Sequence, residues 1–467
     1  MVFVDWRLVA KHGAGSGGLS VKERLDGLRP ILGAGFLIAY AFTPLAPGSL
    51  ATAVFLGTGG LLLAISLPWT SKFHKALALA ASLAFAATIL SGRFDASTYF
   101  EGLPIYFSII AVLLVLSVAG YPIRAESFTT QIRALLSAAT KRGVGARATS
   151  GALGHLLGAV IDVGSLVLID VILRRAAPNE QVKALTWAAR TFSFAPLWTN
   201  LNVLTVTTIV LTGVSYSGLL AASLPFVLVG LAVTLFFAWR EKSEIGDDPE
   251  TPLDRGATAV LLYPVLLVAA VALVNVLVPW LSLTATISLT VAAIVILIAG
   301  LAAALLRRSS PLRRLGTETR DSLVESHAEF ALFGSAGVLV VSLEALGALE
   351  PVGDLFATLP AVLVAPALAL TVGVGWLAGI HVIPMVLLIN TAFPLGGGPA
   401  PALWAMAILL GAQVTMLLTP FSNNVTMLAR LTGLHPIEIG PKRNWKFGLI
   451  LALAVAVYLA LLTFLLL

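Results

Sequence analysis

The chain has no cysteine, which excludes disulfides, thiolate metal sites and a cysteine nucleophile. Charge is scarce: Asp, Glu, Lys and Arg make up 11% of the 467 residues, against roughly 25% in soluble domains. No glycine-rich phosphate loop is followed by lysine, so an ATP-driven pump is excluded. There is no His/Glu spacing of a metalloenzyme and no cluster of acids, which argues against a membrane-embedded lipid-modifying enzyme. Lysine is absent from the long apolar runs.

What the chain has in excess is hydrophobicity. Hydrophobic residues form 58% of it, and mean hydropathy is +0.97. Many apolar runs reach about 18 residues, the length that spans a bilayer as a helix. The chain is therefore expected to be one all-α polytopic membrane protein. Its net charge of +6 lies in the loops between the runs, where it reads as a topology signal and not as a nucleic-acid footprint.

Residues 1–29 are polar, with Arg7, Lys11, Lys22, Arg24 and Arg29, and are expected to form a cytoplasmic tail. Apolar runs follow at 31–44, 50–68, 76–90 and 103–120, with basic loops alternating with non-basic ones, which places the N-terminus inside. Residues 131–141 carry Ile132, Leu135 and Leu136 on one face and are predicted to be an interfacial helix. The run 148–173 is flanked by Arg147 on one side and Arg174, Arg175 and Lys183 on the other. Two basic ends and many glycines predict a re-entrant hairpin. Residues 30–239 form a first half, 240–256 a charged linker, and 257–467 a second half. There, 355–393 has no Lys or Arg but Pro360, Pro366, Gly373, Gly375, Gly379 and Pro384, and is the second predicted hairpin. The full expectation is an inverted-topology repeat of about eleven transmembrane helices, two re-entrant hairpins and two broken helices. Trp69, Trp239, Trp280 and Trp445 fall at the expected span ends, where interfacial aromatics belong.

The two broken helices carry the strongest local signal. Thr419-Pro420-Phe421-Ser422-Asn423-Asn424-Val425 sets a proline and small polar side chains inside an apolar run. Ala195-Pro196-Leu197-Trp198-Thr199-Asn200-Leu201-Asn202-Val203 has a similar order in the first half. A helix passing through such a segment must unwind, and unwound backbone at membrane depth is tolerated only when buried in protein or lining a cavity. Matched interruptions in two halves point to a transporter's binding site.

On these motifs the chain resembles the ion transporter superfamily, and within it is most similar to the divalent anion–sodium symporter family. Leu418-Thr419-Pro420-Phe421-Ser422-Asn423-Asn424 is similar to that family's second broken-span turn, and Ala195-Pro196-Leu197-Trp198-Thr199-Asn200 is a looser version of the first. Gly379-Ile380-His381-Val382-Ile383-Pro384 sits where the second hairpin returns. Neither hairpin contains the family's Ser-Asn-Thr tip; Thr149-Ser150-Gly151 and Thr371-Val372-Gly373 are the nearest to it.

The resemblance implies a secondary transporter of small organic or inorganic, carboxylate-type anions, coupled to Na⁺ or H⁺. It also implies a homodimer in a bacterial inner membrane, with no cofactor beyond Na⁺ as coupling ion. Half-helix N-termini attract anions, so Thr199, Asn200, Asn202, Ser422, Asn423, Asn424 and His381 are the substrate candidates. Pro196, Thr199, Asp162, Ser165, Thr419 and Ser422 are the ion candidates, through freed carbonyls, hydroxyls and one carboxylate. Asp162 is an acid inside an apolar run and keeps a sodium/proton antiporter open as the alternative. Arg190 and Arg430 flank the interruptions and either steer anions or extend to the headgroups.

Overall fold

The computed structural model describes residues 21–44, 50–141, 144–173, 177–241, 255–393 and 400–467. Most of the expected tail, the linker at 45–49, Arg142, Arg174, Arg175 and most of the charged linker between the halves lie outside the described residues. The described residues are helical, with no strand.

The first five helices are α1 (Val21–Phe42), α2 (Leu50–Ser66), α3 (Lys72–Leu90), α4 (Ala96–Ala119) and α5 (Glu126–Lys141). The next five are α6 (Ala146–Ile161), α7 (Gly164–Leu173), α8 (Pro178–Phe192), α9 (Val203–Thr212) and α10 (Tyr216–Arg240). The second half opens with α11 (Arg255–Leu277), α12 (Leu283–Leu306), α13 (Ser310–Glu325), α14 (His327–Glu329), α15 (Ser335–Ala345) and α16 (Glu350–Ala357). It closes with α17 (Ala361–Leu377), α18 (Val382–Ala392), α19 (Pro401–Met416), α20 (Asn423–Thr432) and α21 (Arg443–Leu466). Starts are marked by short polar side chains: Ser71, Asp95, Ser215 and Ser282 each accept an N–H from the first turn that follows, satisfying donors a helix start otherwise leaves orphaned.

Among the described residues, eight helices are long and apolar enough to cross a membrane. The other apolar helices are shorter, including Gly164–Leu173, Val203–Thr212, Ala361–Leu377, Val382–Ala392 and Pro401–Met416. These are the pieces of the expected hairpins and broken helices, which by construction never run a full span. One boundary differs from expectation: the first span begins well before residue 31. In the second half, α15 continues the helical run that starts at Ser310 and passes through a π-turn at Phe330–Gly334. Trp69, Trp239, Trp280 and Trp445 are exposed, as interfacial anchors are.

The helices pack as two groups, each drawing on both halves of the chain. One group holds α1–α5 and α11–α15, through pairs such as α1 with α2, α3 with α15, and α4 with α12 and α15, while α16 packs on α18 of the other group. The other holds α6–α10 and α17–α21, built on the close pairs α6 with α8 and α17 with α19. The groups meet where α4, α5, α11, α12 and α15 touch α6, α7, α9 and α18. One pairing within the first half recurs in the second, α6 with α8 as α17 with α19, and one between the halves recurs with the halves swapped, α3 with α15 as α12 with α4.

Close approach makes these pairs tight. A Cβ on Gly154 would lie 2.7 Å from the Ala188 carbonyl oxygen, and one on Gly411 would lie 2.3 Å from that of Ala369. Both obstacles are backbone and cannot swing aside. Gly154→Ala and Gly411→Ala are each expected to cost about 1–3 kcal/mol by overpacking. The check is the thermal midpoint in detergent, with Gly60→Ala as control, since nothing lies within 4 Å of a Cβ there. Equal midpoints for all three variants would sink the prediction.

A buried ionic clasp closes the base of the first pair. The Arg147 guanidinium donates through Nη2 to both Glu180 carboxylate oxygens at 2.7 Å, and through Nη1 to Glu241 Oε2 at 2.8 Å. Glu241 Oε2 also accepts from Trp187 Nε1–H at 3.0 Å. This ties the starts of α6 and α8 to the end of α10.

Candidate functional site

The two hairpins are present, but their turns are not where the tip signals pointed. Thr149-Ser150-Gly151 lies inside α6 and Thr371-Val372-Gly373 inside α17. The first turn is at Asp162–Val163, with Asp162 in the positive-φ region (φ 50). The second runs from Ala378 to His381, with Gly379 at φ 91. Helix stop and start signals explain the correction. A glycine free to take positive φ ends α17, and the His381 side chain then caps α18 by accepting the Ile383 N–H at 3.4 Å. The stretch Gly379–Pro384, expected on the returning arm, is thus the turn itself plus the first residues of that arm.

Each broken helix opens beside the turn of its own half's hairpin. Between α8 and α9 the chain makes a 3₁₀ turn at Ala195–Leu197 and unwinds to Asn202. Between α19 and α20 it unwinds after Met416 and restarts behind Ser422. Thr199 Oγ1 donates to the Ala159 carbonyl at 2.9 Å and accepts the Leu201 N–H at 3.2 Å. Thr419 Oγ1 donates to the Trp376 carbonyl at 3.1 Å and accepts the Phe421 N–H at 3.3 Å. Ala159 and Trp376 are both in the last turn of a hairpin's first arm, where carbonyls lose their α-helical partners four residues on; the Trp376 carbonyl also accepts the Gly379 N–H at 3.1 Å. One hydroxyl in each half therefore holds the interruption and the hairpin together.

These bonds fix the correspondence between the halves. Thr199 matches Thr419, and the caps Asn202 and Ser422 match, accepting N–H groups of Leu204 (3.0 Å) and Val425 (3.1 Å). At the far ends of α9 and α20, Gly213 and Gly433 match in left-handed conformation. All three pairs have the same offset along the chain. The motif order had instead set Thr199-Asn200 against Ser422-Asn423, led there by the prolines. Pro196 sits in the 3₁₀ turn before its threonine, whereas Pro420 follows its own.

The halves then exchange their second arms. The arm α7 packs on α20 of the other half, and α18 packs on α9; α8 also touches α20, and α19 touches α9. Thr199, Asn200, Asn202, Thr419, Ser422 and Asn424 are buried, whereas Asp162, Phe421 and Asn423 are exposed and His381 is half-buried. Ser165 Oγ donates to the Asp162 carbonyl at 2.8 Å. Thr205 Oγ1 donates to the Pro196 carbonyl, so that oxygen is already engaged. Asn200 turns toward α11, its Nδ2 donating to Val268 O at 3.3 Å, and its Oδ1 is buried with no partner.

Three other polar side chains have defined places. His155 is packed, with Nδ1 at 2.9 Å from the Thr191 carbonyl and Nε2 accepting from Trp198 Nε1–H at 3.0 Å. That network assigns a neutral ring protonated at Nδ1. The Arg190 side chain is engaged within the protein. Its Nε donates to Asn444 Oδ1 at 2.9 Å, its Nη2 donates to the Arg443 carbonyl at 3.0 Å, and the guanidinium lies over the Trp187 ring. Gln413 was passed over in the sequence. It is 2% exposed on α19, and neither amide atom has a partner, an arrangement that costs free energy unless a water or ligand satisfies it. The signal was available, since Gln413 is the one amide in the otherwise apolar stretch from 400 to 418.

An all-α polytopic membrane protein with two helical hairpins laid against two interrupted helices is the class this architecture defines. No protein-family model matches the chain, and no curated protein matches it. The resemblance to divalent anion–sodium symporters therefore rests on the motifs alone. Among solved structures, the crystal structure of the Alcanivorax borkumensis YdaH transporter, described as having an unusual topology, matches 81% of this chain and 88% of its own. The TM-score is 0.46 and the identity 16%, a likeness too low to bear on function.

Proposed function

We propose that the chain is a secondary transporter of small anions, coupled to Na⁺ or H⁺, working by alternating access around the two interrupted helices. The observation that carries this reading is the duplicated threonine bridge, Thr199 to Ala159 and Thr419 to Trp376. Each bridge holds a hairpin turn beside a newly started helix, and the exchange of second arms adds a helix start from the other half. Helix starts carry unpaired N–H groups and the positive end of the dipole, which favour an anion. The exposed Asn423 and the half-buried His381 supply further polar contacts. Neutral donors suit a carrier, which must release what it binds.

In this reading α6–α10 with α17–α21 form the body that carries the site, and α1–α5 with α11–α15 form the frame it works against. The halves have inverted topology, the N-terminus is cytoplasmic, and the membrane is a bacterial inner membrane. The coupling ion sits among the hydroxyls and carbonyls of the interruptions.

The exposed carboxylate of Asp162 at the first hairpin turn favours a second reading, a sodium/proton antiporter. One experiment separates the two. Purified protein in detergent is screened for thermal stabilisation by a panel of carboxylates and inorganic anions, with and without Na⁺, beside Asn423→Ala and Asp162→Asn. Selective binding to the native state raises the midpoint by mass action. The anion carrier requires a shift from one anion class that Asn423→Ala diminishes. A shift with Na⁺ or pH alone, lost in Asp162→Asn, makes it the antiporter. No shift with any anion at any Na⁺ concentration ends the anion reading.

A further inference from the structure

The corner between α12 and α13 has an arginine where most comparable helix ends of this chain have glycine. Five helix ends carry glycine at positive φ: Gly92 after α3 (φ 69), Gly213 after α9 (φ 66), Gly347 after α15 (φ 67), Gly379 after α17 (φ 91) and Gly433 after α20 (φ 69). The end of α12 has the same backbone with Arg307 in that place, at φ 49 and ψ 38. Its N–H bonds the Ala304 carbonyl at 3.2 Å, and the Arg308 N–H reaches back to Ala303 at 3.0 Å. This is the Schellman arrangement, whose left-handed position favours glycine because a Cβ crowds the backbone there. Arg307 is a cost to the backbone, and the side chain must return something for it.

The surroundings show what. Arg307, Arg308 and Arg313 are all exposed, and among the described residues none of the three has an ion pair or side-chain hydrogen bond. Their neighbour Arg314 is different: it pairs with Glu318, which also holds Arg124. The nearest acid on α13 is thus already used. Beside the free guanidinium groups lie three exposed leucines, Leu305 (83%), Leu306 (61%) and Leu312 (45%). Leu305 and Leu306 end a helix long and apolar enough to span a membrane. Arginine heads just beyond exposed leucines match the boundary between acyl chains and headgroups. Guanidinium groups bind phosphate bidentately, and basic clusters at a span end attract anionic lipid.

We propose that Arg307, Arg308 and Arg313 form a binding surface for anionic phospholipid headgroups, with Leu305, Leu306 and Leu312 against the acyl chains. The surface lies on the frame group of helices, at the corner between α12 and α13, and stands whether or not the chain carries anions. Arg307 is retained there for its charge, against its backbone preference.

The test uses the full chain in uncharged detergent, with thermal unfolding followed as phosphatidylglycerol or phosphatidylcholine is added. Phosphatidylglycerol is expected to raise the midpoint by several degrees more than phosphatidylcholine, and rising salt is expected to remove the difference. Inorganic phosphate at the same concentration is expected to give no comparable shift. The R307G/R308Q/R313Q variant is expected to lose at least half of the phosphatidylglycerol effect, whereas R307K/R308K/R313K keeps most of it. R307G alone is expected to melt higher than the native chain without lipid, because the strained backbone is relieved. Equal shifts from the two lipids, an undiminished shift in the triple glutamine–glycine variant, or an equal shift from inorganic phosphate would each overturn the proposal.

Discussion

Replacing Arg147 with methionine is expected to destabilise the protein by about 3–5 kcal/mol, the cost of leaving a buried charge without its partner. Arg147 and Glu180 side chains are each 6% exposed. Removing the guanidinium leaves the Glu180 carboxylate in that setting with only Lys183, at 3.1 Å and 47% exposed. Glu241 loses an ion pair as well, but its own side chain is 48% exposed and tolerates the loss. The double variant Arg147→Met/Glu180→Leu is expected to recover much of the lost stability, since removing both charges avoids the unpaired one. Thermal midpoints in detergent decide it. If Arg147→Met melts with the native chain, the clasp contributes nothing and the base of the first hairpin is held by apolar packing alone. A single variant and a double variant that melt equally low would instead mean that Glu180 needs its charge for other contacts.

The second large effect is expected at the threonine bridges. Thr419→Val keeps the shape of the side chain but strands the Phe421 N–H and takes from the Trp376 carbonyl one of its two donors, the other being the Gly379 N–H. Thr199→Val removes the hydroxyl that serves the Ala159 carbonyl and the Leu201 N–H. A stranded buried group costs about 1–3 kcal/mol. If that cost falls on the arrangement that holds ligand, affinity drops about tenfold to a hundredfold. Each valine variant is therefore expected to need at least tenfold more of the stabilising anion to reach the same thermal shift. Thr419→Ser and Thr199→Ser, which retain the hydroxyl, are expected to stay near the native chain. Valine variants that bind as well as native would show that the bridges are structural and that the ligand sits elsewhere, with the unsatisfied Gln413 amide as the next place to look.

The arms exchanged between halves also suggest why the site needs both interruptions. With α7 against α20 and α18 against α9, neither half surrounds its own interruption completely. Loss of one bridge is then felt across the interface, and the two valine changes are expected to combine non-additively, as changes at coupled sites do.

The sequence by itself determined the large features of this protein. Apolar runs of spanning length require a membrane, and prolines, glycines and small polar residues inside those runs forbid continuous helices. So the two interruptions at 195–202 and 417–422, and the existence of two hairpins, were legible from local pattern. The amphipathic helix over 131–141 was too, because Ile132 and Leu136 are buried as its apolar face requires. What only the tertiary structure decided was which residue meets which. The hairpin turns at Asp162 and Gly379 lie away from the nearest likenesses to a Ser-Asn-Thr tip, because the backbone follows helix stop and start signals. The register between the halves was misread because proline marks where a helix must end but not what its neighbours bond. Thr199 and Thr419 correspond because each donates to a carbonyl in the last turn of a hairpin's first arm some forty residues earlier. Arg190 on Asn444 and Arg147 on Glu180 and Glu241 are likewise partnerships between segments far apart in the chain. A hydrogen bond or ion pair needs two groups within about 3 Å, and local periodicity places only one of them; the packing of distant helices supplies the other.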